Sequence, residues 1–252
     1  MIDNCIVFYE ELSMNAHPAL KTQLYDGWVL RFSNGYTNRA NAVNPIYTSL
    51  LPVEEKVAVC EDIYTRQGLP TVFKLTDAAP AELENYLDTQ DYEIVTPTYL
   101  LENDTLPSSS ASSNVTVFYS INPIWRDHCL RLNGLIDAQK AATAAAMMAN
   151  IQTDVVCAQI EADGKVIACG LCIVERGYAG LYDIVVDPEY RQKGCGTELC
   201  RALLSEAVRL GAKSAYLQVV ADNTSAIALY KKLGYKHCYK YWYRVKDRRR
   251  TQ

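Results

Sequence analysis

Along the second half of the chain the apolar positions change their period from one segment to the next. VTVFYS (115–120) reads as a strand, and from Pro123 to Asn150 the sequence is mostly helical in character, ending in the alanine-rich KAATAAAMMAN. DVVCAQIEA and KVIACGLCIVE flank Asp163-Gly164, a dipeptide that favours a two-residue turn, and together they predict a hairpin. LYDIVV continues as a strand. From Thr197 to Leu210, the residues Leu199, Ala202, Leu203, Ala207 and Leu210 fall on one helical stripe that Gly211 stops. SAYLQVV predicts another strand, and Ser225 is placed to cap a short helix that Gly234 ends. In YKHCYKYWYRV, Tyr235, His237, Tyr239, Tyr241 and Tyr243 recur at every second position, a strand with one aromatic face. The sum is an α/β chain with a mixed, mostly antiparallel sheet flanked by helices.

Polar patterning divides the chain. Residues 103–114, NDTLPSSSASSN, read as a serine-rich linker between a part covering 1–102 and a part covering 115–252. Shifting the second part back by 143 positions puts Gly170 on Gly27, Val186 on Val43, Pro188 on Pro45 and Tyr190 on Tyr47. It also puts Arg209 on Arg66, Gly211 on Gly68 and Tyr235 on Tyr92. The identities are few but fall at turns and element ends, which predicts an internal duplication of one α/β unit. In the first part, residues 25–41 predict a strand, an Asn34-Gly35 turn and a second, polar strand.

Composition narrows the class. With 49% hydrophobic and 21% charged residues in 252, the chain can bury ordinary cores. A net charge of -4 argues against broad affinity for nucleic acid. The basic run from Lys246 to Arg250 reads as a solvated tail. Nine cysteines, an odd number set mostly in apolar segments, read as reduced thiols. Cys169-x-x-Cys172 lies in a strand-like segment with no second pair beside it, so core packing is expected rather than a metal. His17, His128 and His237 are scattered, and His237 is expected to pack within its strand. No apolar run is long enough for a membrane span and the start does not read as a signal peptide, so a cytoplasmic protein without membrane or nucleic-acid partners is expected.

The chemistry concentrates after LYDIVV. Arg191-Gln192-Lys193-Gly194-Cys195-Gly196 is a basic glycine loop leading into the helix, and amides at a helix start bind anions. A dinucleotide fingerprint would need a third glycine where Leu199 stands. Further on, Asn223, Ala226, Tyr230, Gly234 and Tyr235 form a second pattern. Together the two motifs resemble the GNAT superfamily of acetyl-coenzyme-A-dependent N-acetyltransferases, whose loop reads Q/R-x-x-G-x-G/A and whose later segment reads N-x-x-A-x-x-x-Y-x-x-x-G-F/Y. The resemblance covers 182–235, and the fold it implies reaches back to about 115.

The resemblance implies a pair of splayed strands. The pantetheine arm of acetyl-CoA would lie along Ile184, Val185 and Val186, with its diphosphate on the amides of Gln192 to Thr197. Arg191 and Lys193 would add positive charge, and Cys195 would fill the loop without acting as a nucleophile. Asn223 would contact the cofactor, and Tyr230, which also touches it, would protonate the departing thiolate. Asp183 is the candidate base, with Glu175 beside the acceptor as the other option; Asp183 is equally readable as a solvated strand residue. The acceptor is expected to be a small-molecule or peptide amine, with no metal involved. On the 143-residue offset the loop glycines fall on Leu51 and Val53, and Tyr230 falls on Leu87, so the first part reads as a degenerate unit without its own cofactor. Its GW-x-x-R…G-x-T-x-R-A-N block is similar to one in two-part bacterial GNAT proteins. Trp28, Arg31, Arg39 and Asn41 are therefore expected either to help build the acceptor pocket or to line an interface; an ordinary hairpin with solvated arginines is the competing reading. A non-catalytic CoA-binding sensor or scaffold, or an enzyme using another acyl-CoA, are the alternatives for the whole chain.

Overall fold

The computed structural model describes residues 4–106 and 114–246. Most of the linker expected at 103–114, and nearly all of the basic tail, lie outside them. The chain forms two compact units: one comprises the residues up to Tyr99 together with those from Tyr239 on, the other runs from Leu100 to Cys238.

The first unit opens with α1 (Asn4–Ala16), followed by the hairpin β1 (Lys21–Tyr25) and β2 (Trp28–Phe32). Asp26 and Gly27 make its turn with φ of 40° and 78°, the left-handed pair that a type I′ turn requires. Then come β3 (Val43–Pro45), α2 (Val53–Arg66), β4 (Thr71–Thr76), α3 (Ala81–Thr89) and β5 (Glu93–Asn103). Strand β3 pairs antiparallel with β2 and parallel with β4. The core centres on Leu30, Val57, Tyr64, Phe73, Leu75, Leu83 and Leu87. Residues 34–41 depart from expectation. After the Asn34-Gly35 turn the chain makes a 3-10 turn at Asn38–Ala40 in place of a polar strand. The cause is Asn41, whose Oδ1 accepts from the Ser33 and Gly35 amides at 2.7 and 3.0 Å and folds the loop back on itself.

The second unit contains β6 (Val115–Phe118), α4 (Pro123–Leu132), α5 (Ala138–Ala149), β7 (Asp154–Ala162), β8 (Lys165–Glu175), β9 (Tyr178–Val186), α6 (Cys195–Arg209), β10 (Ser214–Val220) and α7 (Thr224–Lys232). Strands β6 to β9 are successive antiparallel neighbours, and β10 joins parallel to β9. This is the expected mixed, mostly antiparallel sheet. Asn122 caps α4 by accepting from the Trp125 amide, and the Trp125 indole donates to the Ala158 carbonyl at 3.0 Å, fixing α4 on β7. The residue that caps α7 is Asn223, which accepts from the Ala226 amide at 3.1 Å; Ser225, expected as the cap, lies inside the helix. His237 also differs from expectation, since it is exposed rather than packed.

The last strand, β11 (Lys236–Lys246), starts in the second unit and ends in the first, where Tyr241–Lys246 pair with β4. Strand β5 does the converse: it starts in the first unit, and its buried Leu100 and Leu101 belong to the second. The 143-residue offset holds through this region, with α3 at Ala81 matching α7 at Thr224 and β5 at Glu93 matching β11 at Lys236. Earlier it slips. Gly27 sits in a hairpin turn, whereas Gly170 lies in the middle of β8, so the counterpart of Asp26-Gly27 is Asp163-Gly164, another left-handed pair.

Candidate active site

Strands β9 and β10 pair from Tyr178↔Ser214 to Leu181↔Leu217, yet β9 runs on to Val186 and β10 to Val220. Beyond Leu181 the two strands therefore part. A bulge accompanies the parting: the β8–β9 register shifts opposite Gly170, and Asp183 takes a φ of 50°. Gly170 makes room for it, because a Cβ there would meet the side chains of Ile184, Leu199 and Leu203 at 2.8 to 2.9 Å. The end of β9 is pinned. The Asp187 amide donates to the Ile167 carbonyl at 2.8 Å, and the Asp187 carboxylate pairs with Lys165 at 2.8 Å. That lysine, together with the Glu189 amide, holds the Asp187 carboxyl below the usual carboxylate range.

A cleft of about 780 Å³ opens where the strands part. It is lined by Ile184, Val185 and Val186 on β9, by the loop and first turn of α6, and by Asn223 and Tyr230 around α7. Every expected cofactor-binding residue reaches it except Lys193, whose ammonium sits 4.9 Å from the centre of the Tyr190 ring. Gly194 caps α6 with a φ of 91°, a conformation that strains any side chain. The Thr197 and Glu198 amides bond back to the Gly194 carbonyl at 2.9 and 3.1 Å, so the amides ahead of them are the candidate donors to an anion. Arg191 is exposed and tied by its Nε to the Val186 carbonyl at 3.2 Å. Sequence reasoning missed Ser225, Ala228, Leu229 and Lys232, which also line the cleft. Helical spacing could have found them, since all lie within a turn or so of Tyr230.

Tyr230 is buried, with its ring 5.9 Å from Tyr235 in an edge-on contact. Burial, and secondarily the nearby Cys200, push its phenol well above the usual value, so it stays protonated. Asp183 is exposed at the bulge, and its charge acts on Cys129, Cys157 and Cys169, whose thiols burial pushes up. Glu175 ends β8 half-buried. Cys169 and Cys172 are buried free thiols, and among the described residues no cluster of His, Cys, Asp or Glu is arranged to hold a metal. Also among the described residues, no helix is long and apolar enough to cross a membrane.

Of the four candidates in the first unit, Trp28, Arg31 and Asn41 are buried. Trp28 is buried under Lys56, whose Nζ lies 3.9 Å from the ring centre. Arg31 is buried and donates to the carbonyls of Arg39 at 2.8 Å and of Met14 and His17. Arg39 is half-buried, and Asn41 holds the 33–37 loop.

Splayed strands, a glycine loop at a helix start and a buried tyrosine on the next helix define the GNAT class of N-acetyltransferases, and similarity to known proteins agrees. The uncharacterized N-acetyltransferase YobR of Bacillus subtilis is 28% identical over 243 residues, covering 94% of this chain and 97% of its own. A ribosomal protein bS18-alanine N-acetyltransferase of Escherichia coli is 38% identical over 77 residues, 31% of this chain and 52% of its own. Among solved structures, a GCN5-related N-acetyltransferase from Kribbella flavida superposes with a TM-score of 0.71 at 14% identity, covering 95% of both chains. A tandem GNAT protein from the clavulanic acid biosynthesis pathway gives 0.66 at 15% identity, covering 98% of this chain and 89% of its own. The chain belongs to the family described as "Probable histone acetyltransferase Rv0428c C-terminal", whose family model matches residues 6–244, and it is an acyltransferase of GNAT type.

Proposed function

We propose that the second unit transfers an acetyl group from acetyl-CoA to a primary amine by direct attack within a ternary complex. The observation that carries this reading is the parting of β9 from β10 after Leu181↔Leu217, with the α6 loop, Asn223 and Tyr230 facing the same cleft. When bound, acetyl-CoA supplies the thioester. The residues fit such a ligand: the backbone of Ile184 to Val186, beyond the last β9–β10 pair, suits an amide-bearing arm, and the amides at the start of α6 suit a diphosphate. Arg191 and Lys232 add positive charge at the cleft. Tyr230, kept protonated, donates to the sulfur as negative charge develops there. The attacking amine must shed a proton, and the exposed Asp183 carboxylate at the bulge is the base proposed to take it, directly or through water.

Trp28, Arg31, Arg39 and Asn41 support the first unit's own packing in this reading, since the donors of Arg31 and Asn41 go to backbone carbonyls. Free-thiol release from acetyl-CoA against a panel of amines tests the proposal. The panel should include lysine peptides, an alanine N-terminus and small polyamines. Turnover with one class, abolished by Gly196→Asp, is expected; no thiol release with any acceptor would favour a CoA-binding sensor.

A further inference from the structure

The duplication raises a question that the first unit answers chemically. In that unit the loop entering α2 corresponds to the loop entering α6, with Leu50 and Leu51 ahead of the cap Pro52 as Gln192 and Lys193 stand ahead of the cap Gly194. The Leu50 amide donates to Asp26 Oδ1 and Oδ2 at 3.1 and 3.0 Å, and the Leu51 amide donates to Asp26 Oδ2 at 2.9 Å. Lys56, with its side chain fully buried, adds its Nζ at 3.1 Å from Oδ2 and donates to the Asp26 carbonyl at 2.6 Å. Two amides and an ammonium thus surround one carboxylate, the donor set that a phosphate oxygen would take.

The second unit uses the same turn differently. Among the described residues, Asp163, the counterpart of Asp26, accepts only from the Tyr190 hydroxyl at 3.3 Å, and the loop faces the cleft. Gly27 is what lets Asp26 reach its loop: a Cβ there would stand 2.2 Å from the Thr48 carbonyl oxygen, so only glycine permits so close an approach. Two further changes agree. Pro52, which caps α2 where Gly194 caps α6, has no amide to donate, and Val53, first in its helix as Cys195 is in α6, puts a side chain into the core.

We propose that Asp26 is a built-in anion that closes the first unit to phosphorylated ligands. The amide nest survives there but is filled by the chain itself. Only the comparison with α6 rests on the function proposed above; the Asp26 contact stands apart from it.

Amide NMR of the full chain tests this, with inorganic phosphate and CoA as probes. In the wild type, Leu50 and Leu51 are expected to stay unmoved by millimolar amounts of either. In Asp26→Ser they are expected to move saturably with phosphate. Asp26→Asn keeps a side chain suited to the left-handed turn and is expected to respond less. Saturable wild-type shifts at Leu50 and Leu51 would overturn the proposal. So would variants that match the wild type elsewhere in the first unit but ignore phosphate. If Asp26→Ser unfolds that unit, Asp26→Asn decides. Acid titration of the wild type is a separate check: the Leu50 and Leu51 amides must follow one carboxylate titrating below its usual range, and their failure to do so also overturns the proposal. A loop at 192–197 that ignores CoA would speak only against the proposed function.

Discussion

Two side chains show how desolvation sets protonation. Tyr230 is held neutral by desolvation, so in the proposed reaction it is a proton donor. Tyr230→Phe is expected to lower kcat about 10²-fold with CoA affinity unchanged, because acid–base groups contribute about 10²–10⁴; steady-state kinetics with calorimetry checks both halves. In the first unit, burial first, and then the charges of Arg39, Arg31 and Lys74, hold the His17 imidazole well below its usual pKa. Its folded value is the depressed one, so the unfolded chain takes up the proton first as pH falls. The contribution to stability is full above about pH 6.5 and is lost below it, by up to about 1.4 kcal/mol per pH unit. Urea melts from pH 8 to 5 should show that slope in the wild type and a flatter one in His17→Gln. Residue placement was legible where a motif carried it: Tyr230 and all of Arg191 to Thr197 but Lys193 line one cleft. It was not legible where a side chain turned inward, as with Arg31 and Asn41, because sequence alone does not say which donors are spent on the backbone.

At the scale of elements, the cleft depends on a fault in the sheet. Strand β9 bulges at Asp183 opposite Gly170, and the missing side chain at Gly170 leaves room for Ile184 and α6. Gly170→Val forces three packed side chains aside and is expected to cost about 1–3 kcal/mol; thermal melts, and a higher KM for acetyl-CoA through displaced Ile184, report it. The strands and α6 followed from their apolar periods, and the Asp163-Gly164 hairpin from its turn chemistry. The bulge did not, since a left-handed aspartate inside a strand has no periodic signature. The capping of α7 was placed two residues late for a related reason: Ser225 and Asn223 are both good caps, and the choice between them depends on where β10 ends. The 3-10 turn at Asn38–Ala40 arose from a side-chain bond of Asn41 that local propensity does not report.

At the scale of the whole molecule, each copy gives its last strand away. Strand β5, the end of the first copy, finishes in the second unit, and β11, the end of the second copy, finishes in the first. There Tyr239 donates to Glu10 at 2.7 Å, Glu10 pairs with buried Lys74, and Arg244 meets Glu84 and Asp88. A few identities at turns and element ends suggested the duplication at a 143-residue offset, but nothing in a strand's own pattern says which copy it will join. A fragment of residues 115–252 lacks the Leu100–Leu101 segment and carries a β11 without its partner β4. It is expected to aggregate or self-associate, and light scattering would show it. The function itself hangs on the second unit's cleft, and calorimetric titration with CoA at low ionic strength tests it most directly. Saturable binding is expected in the wild type, weakened about tenfold, or about 1.4 kcal/mol, by Arg191→Glu. An absence of heat from the folded wild-type chain at millimolar CoA would contradict it.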